Sequence, residues 1–184
     1  MLCQIYDNWI DGEYLHSLAR LIESIDSLSF DNIANRKSWP YGQKGSHRLM
    51  GSTIFSRSGL NRVEVLHPKA SKFFDIFESI EDLSQRKYFL SQIQINVQHS
   101  GCDGTTHIDG EDPQKTIMLM SNAIWQDEWG GKFQLLEDDK VIEEYDYIPG
   151  RLLIFPSKIS HRGLGPNIKY PYVYRHTTVF RVSE

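Results

Sequence analysis

Hydrophobic residues recur at two different periods along this chain, and the change falls near its midpoint. In "DGEYLHSLARLIESIDSL", Leu15, Leu18, Leu21, Ile22 and Ile25 share one helical face, and Asp11 precedes the run where its side chain can cap the first turn. A second helix is predicted in "HPKASKFFDIFESI", with Phe73, Phe74, Ile76, Phe77 and Ile80 as its apolar side. Between the two, residues 31–62 form a polar, glycine-containing stretch, long enough to serve as a mobile lid or substrate loop.

From about residue 87 the period becomes two. "YFLSQIQINVQ" alternates Ile93, Ile95 and Val97 with Gln92, Gln94, Asn96 and Gln98, which predicts a strand with two unlike faces. Further strands are predicted in "KTIMLMSNA", "GKFQLLE", "KVIEEYDY", "GRLLIFP", "SHRGL" and "YVYRHTTVFRV". Their separators are turn residues, including Gly130-Gly131, Pro149-Gly150 and Pro166-Asn167. So many short strands imply a sandwich or barrel, with the jelly roll (double-stranded β-helix) as the expected variety. The fold class expected is mainly β with flanking helices, the N-terminal helices packed on one sheet. At 184 residues the chain has the length of one domain. The expectation is a single domain over 1–184, with a helical part at 1–86 and a jelly-roll core at 87–184.

Composition narrows the setting. The sequence is 40% hydrophobic and 24% charged, with no apolar run long enough to span a bilayer. Its start carries Asp7, Asp11 and Glu13 where a secretion signal would be apolar, and its two cysteines, Cys3 and Cys102, make no disulfide framework. A cytoplasmic location is expected. The net charge of −4 offers no broad attraction for nucleic acid or membrane, and neither is expected as a partner. The basic stretch at 35–48, containing Arg36, Lys37, Lys44, Arg48, Trp39 and Tyr41, reads as a solvated loop and as a candidate part of the lid.

Candidate chemistry sits in "GTTHIDGEDPQKT". His107 and Asp109 lie two residues apart, so in an extended chain both side chains point to one face and can reach one ion. His161, beyond the apolar strand of "PGRLLIFPSKIS", supplies a third ligand. Two imidazoles and one carboxylate form a facial set with open positions, as in non-haem Fe(II) oxygenases, although zinc hydrolases use similar ligands. If "SHRGL" and "YVYRHTTVFRV" pair as a hairpin centred on Ile168, then Arg175 faces His161 across it, and Thr177 shares that face. A buried arginine needs an anionic partner, and its planar fork suits a carboxylate.

The order "HID", "WGGKFQL", "PGRLLIFPSKISHRG", "YRHTTVF" resembles the Fe(II)- and 2-oxoglutarate-dependent dioxygenases, in particular their prolyl-4-hydroxylase-like branch. The resemblance covers roughly residues 87–183. It implies Fe(II) ligation by His107, Asp109 and His161, and binding of the distal carboxylate of 2-oxoglutarate by Arg175 with Thr177 assisting. It also implies dioxygen as cosubstrate, ascorbate as an optional reductant, and hydroxylation of a prolyl or other peptidyl side chain or of a small molecule. The interval from His161 to Arg175 is longer than is common in that branch, which bears on the substrate more than on the chemistry. Two other classes remain open: a cupin-like isomerase or hydrolase using zinc or manganese, and a non-catalytic jelly-roll binding module. Arg181, on the same strand face, is a second candidate for the carboxylate. His99, His176, Trp125 and Trp129 are expected to be structural, and the inward face of the 92–98 strand is left open.

Overall fold

The structure is a computed structural model that describes residues 2–26, 28–32, 49–60 and 62–184. Its elements are β1 (Gln4–Tyr6), α1 (Gly12–Glu23), β2 (Ser29–Asn32), β3 (Leu49–Ser58), β4 (Arg62–Leu66), α2 (Ser71–Ser84), β5 (Phe89–His99), β6 (Gln114–Met120), β7 (Phe133–Glu137), β8 (Lys140–Tyr145), β9 (Leu152–Pro156), β10 (Ser160–Gly163) and β11 (Tyr174–Ser183). It is a mainly β protein with two helices and antiparallel pairing throughout. One sheet has eight strands in the order β1-β9-β6-β11-β5-β3-β2, with β4 paired to β3; the other has three, in the order β10-β7-β8.

Alternation along the central strands separates two buried clusters. Ile93, Ile95 and Val97 of β5, Ile117 and Leu119 of β6, Leu152 and Ile154 of β9, and Phe180 and Val182 of β11 are buried together with Leu15, Leu18 and Ile22 of α1 and Phe73, Ile76 and Phe77 of α2. The opposite face contributes Met118, Leu153, Phe155 and Val179 to a second cluster shared with Phe133 and Leu135 of the small sheet. Asp11 caps α1 as the sequence implies, its carboxylate accepting from the amides of Glu13 at 2.9 Å and Tyr14 at 3.1 Å. No helix among the described residues is long and apolar enough to cross a membrane.

Three expectations are corrected. The first half is not simply helical, since β1 to β4 lie within it. β3 escaped notice because Gly51, Ser52 and Thr53 blur its apolar alternation, and a shift in its pairing with β5 between Thr53 and Phe55 breaks the period of two. Within the lid proposed at 31–62, residues 49–58 are therefore a sheet strand, while 33–48, including Trp39, Tyr41 and the basic residues, lie outside the described residues. Finally, β10 and β11 do not form a hairpin: β10 pairs with β7, and β11 pairs with β5 and β6. The connection between them bonds to other loops instead of turning back on itself. The Leu164 amide donates to Lys132 O and the Asn167 amide to Trp129 O, both at 2.8 Å, and Pro166 O accepts from Gly101 at 2.8 Å. The chain thereby crosses from one sheet to the other.

Because Ile95 is wholly buried on the helix side of β5 and Gln94 faces the other way, the two positions should respond differently. Ile95→Ala is expected to cost about 2–5 kcal/mol in urea unfolding, and Gln94→Ala less than about 1 kcal/mol. Equal losses would contradict the assignment of the two faces.

Candidate active site

A cavity of about 260 Å³ lies between the two sheets, lined on one side by β5, β11 and Phe155 of β9 and on the other by Phe133, His161 and Gly163. His107 and His161 face each other in an isolated bridge, the His107 amide donating to His161 O at 3.1 Å and the His161 amide to His107 O at 2.9 Å. Their rings lie 4.4 Å apart between centroids. The Asp109 amide donates to Ser157 O at 2.9 Å, which returns its carboxylate to the same face. One ligand atom from each of His107, Asp109 and His161 then falls within 4.8 Å of the others.

The hydrogen bonds around these three side chains set which atoms are offered. His107 Nδ1 lies 2.8 Å from Thr105 O, and His161 Nδ1 lies 2.8 Å from Ile159 O. A carbonyl can only accept, so each Nδ1 carries a proton and each Nε2 is the atom turned toward Asp109. Those Nε2 atoms lie 3.6 Å and 3.5 Å from Asp109 Oδ1 and Oδ2. Asp109 is held from both sides: Arg181 Nη2 donates to Oδ1 at 2.8 Å and Thr116 Oγ1 to Oδ2 at 2.9 Å. Burial alone would raise the Asp109 pKa, but the neighbouring His161 and the Arg181 guanidinium outweigh it and hold the carboxyl below its ordinary range. Burial, reinforced by His161, lowers the His107 pKa and keeps its imidazole neutral.

Arg175 supplies the other half of the cavity's chemistry. Only 2% exposed, it donates from Nε to Gly131 O at 2.9 Å and from Nη1 to Gln98 Oε1 at 2.7 Å. Nη2 is buried and has no partner. Gln98 is itself fixed by donating to Cys102 O at 3.0 Å and Gly163 O at 2.9 Å, and the guanidinium carbon stands 5.0 Å from the Tyr147 ring centroid. Burial lowers the Arg175 pKa to about 10, which leaves it charged at neutral pH. Two glycines make room for the side chain. At Gly131, with φ +78, a Cβ would approach Trp125 to 2.8 Å and Arg175 to 3.3 Å; at Gly163 it would approach Arg175 Nη1 to 3.1 Å.

All five residues singled out in the sequence, His107, Asp109, His161, Arg175 and Thr177, line this one cavity. Arg175 and His161 arrive from facing sheets, not as hairpin partners. The polar face of β5 looks inward through Gln94, Asn96 and Gln98. Sequence reasoning left Gln98 unassigned, although its pairing with Arg175 would have identified it once the register was known. It placed Arg181 on the right face but did not foresee its bond to Asp109. Nothing in the sequence marked Thr116. His176 lies on the opposite face of β11, where burial depresses its pKa to about 4. His99 is exposed.

No protein-family model matches the sequence, and no curated protein is similar to it. Solved structures do match in fold. An oxidoreductase of the 2OG-Fe(II) oxygenase family from Burkholderia pseudomallei superposes with a TM-score of 0.69 at 15% identity, covering 99% of this chain and 85% of its own. A prolyl-4-hydroxylase from Pseudomonas putida gives 0.66 at 13% identity, covering 100% and 92%. A prolyl hydroxylase from Trichoplax adhaerens, in complex with a peptide fragment of the hypoxia inducible factor oxygen degradation domain, gives 0.69 at 15% identity, covering 99% and 83%. These structures belong to the superfamily and branch that the sequence motifs resemble, and at such identities the finding is one of shared fold.

Proposed function

We propose that this chain is an Fe(II)- and 2-oxoglutarate-dependent dioxygenase, a hydroxylase built as one jelly-roll domain over 1–184 with its N-terminal helices packed on one sheet. The observation that carries this reading is Arg175. It is a buried guanidinium with an unpartnered Nη2, in the same cavity as two imidazoles and a carboxylate. A buried charge without a counter-charge is costly, so the site is complete only with an anion bound. A dicarboxylate reaching from Arg175 to a metal at the three ligands satisfies both ends. A cupin-like isomerase or hydrolase, or a binding module, has no need of such an arginine.

The donor set fits a divalent iron: two nitrogens, one oxygen, and positions left open. His107 and His161 would hold the metal through Nε2, their rings oriented by the Thr105 and Ile159 carbonyls. Asp109 would give the third ligand, ionised and held by Arg181 and Thr116. Arg175 would bind the distal carboxylate of 2-oxoglutarate, with the Thr177 hydroxyl assisting. When bound, the metal with 2-oxoglutarate and dioxygen supplies the oxidising chemistry, coupling decarboxylation to succinate and carbon dioxide with hydroxylation of the substrate. The apolar wall of Met118, Phe133, Phe155 and Val179 keeps bulk water from the reacting centre. A peptidyl substrate, a prolyl side chain among the possibilities, is supported by the peptide held by the Trichoplax prolyl hydroxylase; a small-molecule substrate is the alternative.

Succinate formation from 2-oxoglutarate by anaerobically iron-loaded protein after oxygen is admitted tests the reading. Turnover is expected to vanish in His107→Ala. Arg175→Ala should raise the 2-oxoglutarate requirement roughly 10–100-fold through loss of a charge-assisted contact. Metal that binds without any 2-oxoglutarate binding would favour the cupin-like class. Chelation should abolish turnover, and Fe(II) but not Zn(II) should restore it; recovery with Zn(II) would contradict a redox role.

Metal binding requires neutral imidazoles and an ionised Asp109. Both His107 and Asp109 have lowered pKa values, so their deprotonated forms persist further into acid than those of free side chains. Affinity measured by chelator competition should therefore hold steady above the ordinary histidine pKa of about 6.5 and fall below it. A decline beginning well above pH 7 would contradict the depressed His107 pKa.

A further inference from the structure

Arg181 holds Asp109 but carries a positive charge that the loaded site does not balance. Among the described residues, the charged side chains lining the cavity are Asp109, Arg175 and Arg181, an excess of one positive charge when the histidines are neutral. A divalent ion and a doubly charged dicarboxylate cancel, so loading the site does not change this excess. Loading does localise it. The ion shares the charge of Asp109 and of one carboxylate, and Arg175 takes the other carboxylate. Arg181 is then left beside a neutralised centre.

Among the described residues, the surroundings of Arg181 supply no other counter-charge. Asp109 is the one carboxylate within 4 Å among the described residues, reached through Nη2. Nε is buried and has no partner, while 39% of the side chain remains exposed. Its cross-strand neighbours, Gln92 on β5 and Thr116 on β6, are neutral, as is Gln94 opposite Val179. Glu184, near the end of the same strand, is already engaged by Arg86 and Lys115. A guanidinium that binds a carboxylate with its full fork uses two N–H groups, whereas Arg181 meets Asp109 through Nη2 alone and keeps part of its side chain exposed beside the metal ligands.

We propose that Arg181 is a substrate-recognition residue and that the substrate presents a carboxylate to it beside the bond to be hydroxylated. This deepens the oxygenase reading and rests on it. The substrate carboxylate meets Arg181 at the exposed part of its fork, so the excess charge is balanced only in the complex with substrate. Uncharged analogues of the same shape forfeit that contact.

The test uses the whole protein loaded with Mn(II) and 2-oxoglutarate in the absence of oxygen, with acetate as the minimal carboxylate and acetamide as its neutral counterpart. Titration calorimetry first establishes that the metal and 2-oxoglutarate bind; if wild-type protein binds neither, the oxygenase reading falls and this inference with it. Relaxation of the acetate methyl protons by bound Mn(II) then reports residence beside the metal. Saturable enhancement is expected with acetate and not with acetamide, weakened roughly tenfold or more in Arg181→Gln and less in Arg181→Lys. N-acetyl-proline and acetyl-aspartyl-prolinamide, as competitors of acetate, distinguish a main-chain from a side-chain carboxylate. No enhancement in the loaded wild-type protein would overturn the proposal. So would enhancement unchanged in both variants, because acetate would then sit on the metal alone. Loss of Mn(II) by both variants with an unaltered circular dichroism spectrum would also overturn it, making Arg181 a support for Asp109 instead.

Discussion

β11 is hydrogen-bonded along both edges, to β5 and to β6, and its alternation decides what each face of the large sheet does. Arg175, Thr177, Val179 and Arg181 face the cavity, whereas Phe180 and Val182 join the cluster shared with the helices. A slip of one residue would put two guanidinium groups into the helix-packed core and two large apolar side chains into the cavity. The ladder on both sides, together with the core that Phe180 completes, fixes the register against that exchange. The cost of burying Arg175 is thus borne by packing on the far side of the same strand.

Within the cavity, rigidity and incompleteness are arranged separately. Asp109 is gripped by Arg181 and Thr116, each histidine is oriented by a carbonyl two residues before it, and Gln98 is tied to two carbonyls before it accepts from Arg175. His107, Asp109, His161, Arg175 and Arg181 all line one cavity, and within it Arg175 Nη2 has no partner. Such a site is organised before any ligand arrives, which lowers the ordering cost of binding.

Much of this was legible in the sequence because its signals are local. The period of two in 92–98 and the helical spacing of Leu15, Leu18 and Ile22 report burial directly, and His107 with Asp109 carries its own geometry in a separation of two. The jump from His161 to Arg175 could not be read locally. Parity along β11 gave the correct cavity face, but the pairing partner depended on whether the Pro166 region turned back or crossed over. That was settled by bonds to Lys132, Trp129 and Gly101, residues far away in sequence. β3 stayed hidden for a related reason: its small polar residues are buried by neighbours that no window of its own sequence contains. Thr116 and Gln98 were silent because their roles consist of single hydrogen bonds across the cavity.

The most direct measurement is a crystal structure of the protein soaked with Fe(II) and 2-oxoglutarate under anaerobic conditions. The account requires an anomalous peak at iron-ligand distance from His107 Nε2, His161 Nε2 and an Asp109 oxygen, with continuous density for a dicarboxylate ending on Arg175 Nη2. Iron bound elsewhere, or a dicarboxylate that leaves Arg175 untouched, would contradict it.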